Sequence, residues 1–309
     1  MGDTQIDNEK IEKHSLGAEQ KESVVDGLRI AKSYLNETMD KIDLKVDPKK
    51  RLSGLPSGFK TLDKLTNGFQ KSDLIIVAGR PAMGKTIFAM NIAEYAAIHN
   101  DRPVLVFSIE LPASQLLMRI LASIGGVNAS RLRTGKLDDY DCNNLSMASN
   151  IIKNNFNMFI DDSPRITTSE ILSRARQIAG EYGDLAAIII DPLQLITMPE
   201  INENKTAEIT RSLKALAKEL QVPVIVLSKL KSALEQREDH RPVISDLSDS
   251  DAIEQDADII AFIYRDEVYN KDTTSKAIAE ITLGKHRKGE LATVFLEFQG
   301  HYYRFKNIS

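Results

Sequence analysis

Short, continuous apolar runs recur along the chain from residue 74 onward, and segments with apolar positions every three or four residues lie between them. An unbroken apolar run is typical of a buried strand in a parallel sheet, and the wider spacing is typical of a helix. The predicted strands are 74–78, 104–107, 158–160, 186–190, 224–227 and 259–264, and the main predicted helices are 87–97, 113–124, 168–181 and 206–220. This alternation predicts an α/β fold, a mostly parallel, twisted sheet with helices on both faces.

The pattern changes after residue 264, where shorter segments replace the long apolar runs. These segments alternate apolar and polar residues around 279–281, 292–298 and 302–305. Alternation with a period of two is typical of strands that bury one face, so we expect an antiparallel extension at one edge of the sheet.

The first 45 residues predict a different organisation. Residues 1–21 are charged and polar with almost no apolar side chains, which predicts a disordered tail. Within 22–45, apolar residues recur at spacings of three and four from Val24 to Ile42, which predicts one amphipathic helix. A lone helix of this length is marginal in water, so its apolar stripe docks on its own domain or on a neighbouring subunit. Residues 46–309 are predicted to form the main domain.

The segment after the first predicted strand carries candidate chemistry. It reads Gly79-Arg80-Pro81-Ala82-Met83-Gly84-Lys85-Thr86 and matches the phosphate-binding pattern G-x-x-x-x-G-K-[ST]. The glycines allow backbone amides and the following helix N-terminus to face an anion. We expect Lys85 to reach the outer phosphates of a nucleoside triphosphate and the Thr86 hydroxyl to bind Mg²⁺. The flanking strand and helix disfavour a chance match.

Carboxylates stand at three predicted strand ends, where a doubly wound sheet opens onto its ligand crevice. Asp191 is the candidate second carboxylate of the Mg²⁺ site. Glu110 is a candidate to orient or deprotonate an attacking water, although an ordinary strand-terminal acid explains the pattern equally well. Asp161 and Asp162 are interpreted as structural caps.

A basic pair, Lys285 and Arg287, lies in the predicted antiparallel extension. Residues two apart on a strand point to the same side, and transition-state charge on a transferring phosphoryl group requires a cation from outside the loop. In an oligomer this pair could reach a neighbour's nucleotide. The alternative is a solvated, charged hairpin, which is what most such runs are.

Composition limits the cellular compartment, the metals and the partners that we expect for the protein. The single cysteine, Cys142, excludes an intrachain disulfide framework or a cysteine metal cluster and fits a cytoplasmic protein. The five histidines show no ligand-type spacing, so we expect metal use to be limited to Mg²⁺ with ATP. No apolar stretch approaches the length of a membrane span, and the net charge of −4 leaves room only for a locally basic nucleic-acid channel.

Together these segments resemble the bacterial replicative DNA helicases of the DnaB type over roughly residues 22–309. The resemblance is carried by long segments besides the phosphate loop, at 72–78, 211–220, 252–258 and 264–269. It implies a RecA-like P-loop ATPase domain in a six-membered ring, with single-stranded DNA in the centre, 5′ to 3′ movement and ATP at each subunit junction. It also implies partner contacts with a helicase loader or other replication proteins.

The resemblance also assigns roles. The predicted helix at 22–45 is similar to the family's linker helix, and no part of the sequence corresponds to its N-terminal primase-binding domain, which leaves open whether the chain is a fragment. Lys85, Thr86, Glu110 and Asp191 match the family's ATPase positions, and Lys285 and Arg287 match its trans-acting basic pair.

Two segments depart from the family pattern. Lys229 stands where the family usually has a glutamine that resembles a sensor of the γ-phosphate, and a charged lysine is unable to accept a hydrogen bond. Ser248 and Asp251 take the places of an arginine and a glycine in a loop that resembles a clamp on single-stranded DNA, with Asp249 between them. We therefore expect weaker DNA binding with a shallower salt dependence, and strain at residue 251 if that glycine needs a positive φ.

The favoured hypothesis is an ATP-dependent, replicative-type DNA helicase. The alternative is a helicase-derived ATPase or regulatory ring module with impaired DNA binding, because of Lys229 and the acidic loop. Recombinase-like strand exchange ranks last, since it shares the core but not the C-terminal segments.

Overall fold

A computed structural model describes residues 52–198 and 204–308, so the predicted tail at 1–21 and the predicted helix at 22–45 lie outside the described residues. The described strands are β1 (Leu74–Gly79), β2 (Val104–Ser108), β3 (Met158–Asp161), β4 (Ile166–Thr167), β5 (Ala187–Asp191), β6 (Ile196–Thr197), β7 (Val224–Lys229), β8 (Ile259–Tyr264), β9 (Ile278–His286), β10 (Thr293–Gln299) and β11 (Arg304–Asn307). The described helices are α1 (Lys60–Thr66), α2 (Lys85–His99), α3 (Ala113–Gly125), α4 (Ala129–Thr134), α5 (Asp139–Asn155), α6 (Thr168–Tyr182), α7 (Lys205–Glu219) and α8 (Ser250–Asp256). Within these ranges, none of the helices is long and apolar enough to span a membrane.

Nine strands form one sheet in the order β11-β10-β9-β8-β1-β7-β5-β2-β3. The six strands from β8 to β3 run parallel, whereas β9, β10 and β11 continue from β8 as antiparallel neighbours. The parallel core and the antiparallel extension are therefore both confirmed. β4 and β6 pair separately as a short parallel ribbon.

The helices cover both faces of the sheet because side chains on a strand alternate between its faces. Ile75 and Val77 of β1 belong to one hydrophobic cluster with Phe88 of α2, and α3 contributes to the same layer. Ile76 belongs to a second cluster with Leu213 of α7, and α6 and α8 complete that layer. β1 is buried on both faces, as its continuous apolar run predicts.

Four described helices, α1, α4, α5 and α8, have no counterpart among the main predicted helices. The 17 residues of α5 bury only Asp141, Asn144 and Ala148, so its sequence carries little apolar periodicity. Its start is set instead by polar capping, because the Asp138 side chain accepts a hydrogen bond from the Asp141 amide at 2.8 Å.

Asp161 and Asp162 act as structural groups at the end of β3, as predicted. Asp162 Oδ2 accepts a hydrogen bond from the Ala113 amide at 2.8 Å and so caps the start of α3. Asp161 pairs with Arg174 of α6 and accepts from the Ser163 amide at 3.0 Å.

Candidate nucleotide-binding site

The phosphate-binding pattern forms the turn between β1 and α2, as predicted from its flanking segments. Gly79 ends β1 and Lys85 begins α2. Gly84 has a φ of 101°, and a Cβ atom there would lie 3.0 Å from the Phe305 ring, so the turn requires glycine at this position. No described side chain caps the start of α2, so its first amides lack a side-chain acceptor. The backbone is therefore shaped to receive an anion.

Arg80 was predicted to contact the nucleotide, but its side chain is used to anchor the loop. Its Nε lies 2.6 Å from Glu235 Oε1, and its Nη1 donates to the Leu230 carbonyl at 3.0 Å. These contacts tie the loop to the segment that follows β7. Arg80 is therefore placed to contribute through its main chain.

The three middle residues of the loop have different environments. Pro81 is exposed, Met83 is fully buried, and Ala82 has a positive φ of 67°. The Ala82 carbonyl accepts a hydrogen bond from Arg265 Nη1 at 3.0 Å, and that guanidinium stacks 3.7 Å from the centre of the Phe298 ring. The loop is thus held from the antiparallel side as well.

Lys85, Thr86 and Asp191 converge at the start of α2. Thr86 Oγ1 donates to Asp191 Oδ2 at 2.7 Å, and Lys85 Nζ donates to the Arg80 carbonyl at 3.1 Å. Burial lowers the pKa of the Lys85 amine to about 8, and burial raises the pKa of the Asp191 carboxyl. A bound polyanion would favour the protonated form of this amine and so raise its pKa again.

Glu110 lies beside Asp191 at the carboxyl edge of the parallel sheet. β2 and β5 are neighbours, Ser108 pairs with Asp191, and the Ile109 amide donates to the Asp191 carbonyl at 2.9 Å. The nearby charge of Glu110 contributes to the raised pKa of Asp191. The structure therefore brings the two predicted carboxylates to one place.

Lys229 ends β7 and forms an ion pair that sequence reasoning missed. Its Nζ lies 3.2 Å from Glu110 Oε2, with both side chains about half exposed. Gln194, also missed, accepts a hydrogen bond from the Lys229 amide at 3.1 Å and donates to Ser228 Oγ at 3.0 Å. Its position three residues after Asp191 was the one local signal that pointed to the site.

Lys285 and Arg287 lie where the parallel strands begin, at the end of the sheet opposite to the phosphate loop. Lys285 pairs with Ile260 near the start of β8, whereas the loop follows the end of the parallel neighbour β1. Both cations bind carbonyls at the C-terminus of α8, and Arg287 also pairs with Asp258 at 3.5 Å. Within one chain they are not brought to Lys85.

The loop at residues 248–251 leads into α8. Asp249 has a φ of 53° and its Oδ2 accepts from Thr206 Oγ1 at 2.5 Å, while Asp251 lies in the first helical turn. The strain that we considered at residue 251 is therefore not present, because the positive φ belongs to Asp249 and not to Asp251. Aspartate tolerates this left-handed conformation better than most residues. Ser248 is partly exposed, and Asp249 and Asp251 are exposed.

Residues 54–307 match the family model described as the DnaB-like helicase C terminal domain. The chain is 51% identical over 287 residues to the replicative DNA helicase DnaB of Buchnera aphidicola subsp. Acyrthosiphon pisum, a match that covers 92% of this chain and 62% of the relative. The chain therefore spans about three fifths of the length of that relative.

Two solved structures are similar to the chain, each with a TM-score of 0.83 and 36% identity. One is described as an ATPase domain and is covered over 99% of its length by 89% of this chain. The other is described as a DnaB-like replicative helicase and its interactions with primase, with 92% of this chain matching 68% of it. Both likenesses place the chain among RecA-like ATPase domains.

Proposed function

Because the chain belongs to the family of DnaB-like helicase C-terminal domains, we propose that it is the ATP-hydrolysing motor of a replicative-type DNA helicase. The observation that supports this best is the hydrogen bond of 2.7 Å between Thr86 Oγ1 and Asp191 Oδ2, beside Lys85 at the end of the phosphate loop. A hydroxyl and a carboxylate in this position are the protein ligands of Mg²⁺ in P-loop ATPases.

The residues present fit MgATP. The uncapped amides at the start of α2 and the Lys85 amine would hold the phosphates, and Thr86 and Asp191 would hold Mg²⁺. The metal would neutralise charge on the outer phosphates. No group of three or more His, Cys, Asp or Glu side chains in the described ranges suggests a further metal site.

Glu110 is the proposed general base. Its carboxylate would accept a proton from water while the water oxygen bonds to the γ-phosphorus and the bond to the β,γ-bridging oxygen breaks. It follows two residues after Ser108, which pairs with Asp191, and its charge acts on both Asp191 and Lys85, which supports this role. Its Oε2 lies 3.2 Å from the Lys229 ammonium, which leaves its Oε1 to accept the proton.

The placement of Lys285 and Arg287 supports a homo-oligomer, which we propose is a hexameric ring. Both lie where the parallel strands begin, whereas their own phosphate loop lies where β1 ends. They could therefore stabilise transition-state charge only on a neighbouring subunit's nucleotide. Single-stranded DNA would pass through the ring past Ser248, Asp249 and Asp251, with 5′ to 3′ movement. A helicase loader or other replication proteins are the proposed partners, in the cytoplasm.

The test is steady-state ATP hydrolysis, with and without single-stranded DNA, followed by strand displacement on a forked duplex. Lys85→Ala should lower kcat by at least about 100-fold, because it removes a charge that acts on the transferring phosphoryl group. Lys71→Ala is the matched control, since Lys71 is exposed and its one described ion pair, with Asp184, is 4.0 Å long.

The outcomes separate the two classes of function. Hydrolysis that DNA stimulates, together with Lys85-dependent unwinding, is the expected result. Hydrolysis with no unwinding on any substrate would contradict the helicase proposal and favour a regulatory ring module. Wild-type protein that neither binds nor hydrolyses ATP would refute the motor assignment altogether.

A further inference from the structure

Two buried carboxylates lie beside the turn between β9 and β10. Asp258 immediately precedes β8, and Asp73 immediately precedes its parallel neighbour β1. Arg287 pairs with Asp258, with Nη1 and Oδ1 3.5 Å apart. Lys288 pairs with Asp73, with Nζ and Oδ1 2.5 Å apart. One ion pair therefore ties the turn to the start of each of these two strands.

The Asp258 carboxylate is itself fixed by the core. Its Oδ2 accepts a hydrogen bond from the Leu74 amide at 2.8 Å and pairs with the Lys214 ammonium of α7. Its main-chain amide donates to the Leu74 carbonyl at 2.9 Å, and its carbonyl accepts from the Arg287 amide at 2.9 Å. A carboxylate bonded in this way is unable to follow a mobile partner, so it sets the place of the Arg287 side chain.

The backbone of β9 also directs this side chain. Ala261 of β8 pairs with Leu283, whereas the preceding residue, Ile260, pairs with Lys285. Gly284 is therefore an extra residue on β9, which makes a β-bulge immediately before the basic segment. A bulge bends its strand and turns the side chains that follow it.

Arg287 keeps free donors in spite of its contacts. Its side chain is 42% exposed, and a guanidinium has five N–H groups. Nη1 faces Asp258, and Nη2 donates to the Gln255 carbonyl. The one negative charge of Asp258 is shared with Lys214, so it neutralises the guanidinium only in part. The remaining N–H groups are available to a phosphate.

We propose that Asp258 is a positioning residue that orients Arg287 toward the nucleotide of a neighbouring subunit, with the Asp73–Lys288 pair fixing the turn beside it. The inference rests on the proposed function, in which Arg287 acts across a subunit junction. An unrestrained arginine on a hydrated turn would spread over many rotamers, and few of them would meet a transferring phosphoryl group. A guanidinium that is already oriented acts on the transition state without that loss.

The test compares binding of fluorescent ADP with that of fluorescent ADP plus aluminium fluoride, a mimic of the transferring phosphoryl group, both with Mg²⁺. Asp258→Asn keeps the shape of the side chain and removes its charge. It should weaken binding of the mimic about tenfold and leave ADP binding unchanged. Lys288→Met alters an exposed side chain and should weaken the mimic by about two- to threefold.

Asp63→Asn is the matched control. Asp63 is also a buried carboxylate, but it holds Ser57, whose amide donates to its Oδ1 at 2.7 Å. This variant should change neither affinity. Thermal melting of each variant controls for folding, and Lys288→Met decides the question if Asp258→Asn does not fold.

The decisive comparison uses rings that contain equal amounts of Asp258→Asn and Lys85→Ala subunits. The Lys85→Ala sites bind nucleotide poorly, but these subunits retain Asp258 and Arg287. If Asp258 acts across the junction, about half of the Asp258→Asn sites in a randomly assembled ring face an intact neighbour and should bind the mimic with wild-type affinity. Arg287→Ala in the same mixture is the reference and should recover in the same way.

The other outcomes separate the inference from the proposed function. Recovery with Arg287→Ala but not with Asp258→Asn would overturn the inference alone. So would an equal loss of ADP and mimic affinity, which indicates a structural role, or tighter binding of the mimic, which indicates that Asp258 competes with the phosphate for Arg287. Unchanged mimic affinity in both Asp258→Asn and Lys288→Met would overturn it too. No recovery with Arg287→Ala would overturn the proposed action across the junction, and the inference with it.

Discussion

The lowered pKa of Lys85 predicts that triphosphate binding depends on pH in a range where an ordinary lysine would not titrate. Burial is the main cause of the shift to about 8, and the Lys229 charge adds to it. The bound phosphates favour the charged amine, so they raise its pKa again. Binding must therefore take up a proton once the pH is above about 8.

The magnitude follows from the shift. At about pH 9, roughly one molecule in ten has a charged Lys85 in the empty site if its pKa is about 8, so the Kd should be about tenfold weaker than at pH 7. With the ordinary lysine pKa of 10.5, the same change in pH would alter the Kd by only a few per cent or so. The two cases differ by far more than the error of a titration.

Isothermal titration calorimetry with a non-hydrolysable ATP analogue measures both quantities. The Kd at several pH values gives the affinity, and buffers of different ionisation enthalpy give the number of protons taken up. Lys85→Arg is the control, because a guanidinium stays charged throughout and should remove the pH dependence. A wild-type Kd that is constant from about pH 7 to about pH 9, with no proton uptake, would refute the reasoning.

Two further predictions concern a buried carboxyl and the acidic loop. Burial raises the pKa of Glu94 in α2 to about 8 from 4.5, so the folded state holds an extra proton between these values and loses stability as the pH rises through them. At about 1.4 kcal/mol per pH unit, wild type should lose about 3 kcal/mol between about pH 5.5 and about pH 8 in urea unfolding, and Glu94→Gln should lose much less; parallel slopes would contradict the assignment. The double change Ser248→Arg with Asp251→Gly should tighten single-stranded DNA binding and steepen its salt dependence by about 0.7 per new phosphate contact, as measured by fluorescence anisotropy at two salt concentrations. The exposed control Asp184→Asn should change neither quantity, and an unaltered slope in the double variant would show that the loop does not meet phosphates.

Most of the fold was predictable because the signals are local. The six parallel strands are continuous apolar runs, and each run agrees with an observed strand to within two residues. α5 was missed because it packs through polar and small residues, such as Asn144 and Ala148, and so lacks an apolar period. Periodicity detects burial of apolar side chains, and a helix without such burial gives little signal.

In the candidate site, too, the features set by neighbouring residues were predictable and those set by distant contacts were not. The phosphate loop and Asp191 are tied to strand ends by neighbouring sequence, and the structure joins Thr86 to Asp191. The role of Arg80 as an anchor was not predictable, because its partner Glu235 is 155 residues away in the chain. The same is true of the left-handed conformation at Asp249, which depends on how the loop enters α8.

The sequence by itself determined the succession of the parallel strands and the main helices along the chain, the position of the phosphate loop and the chemical groups available at the carboxyl ends of the strands. Each of these depends on residues that are adjacent or one helical turn apart. Only the tertiary structure decided that Lys229 meets Glu110 across β5, because that contact depends on the order β7-β5-β2 in the sheet. Strand order in the sheet is set by packing over the whole core, so a substitution at residue 229 removes an ionic partner of a carboxylate that is 119 residues away, at position 110.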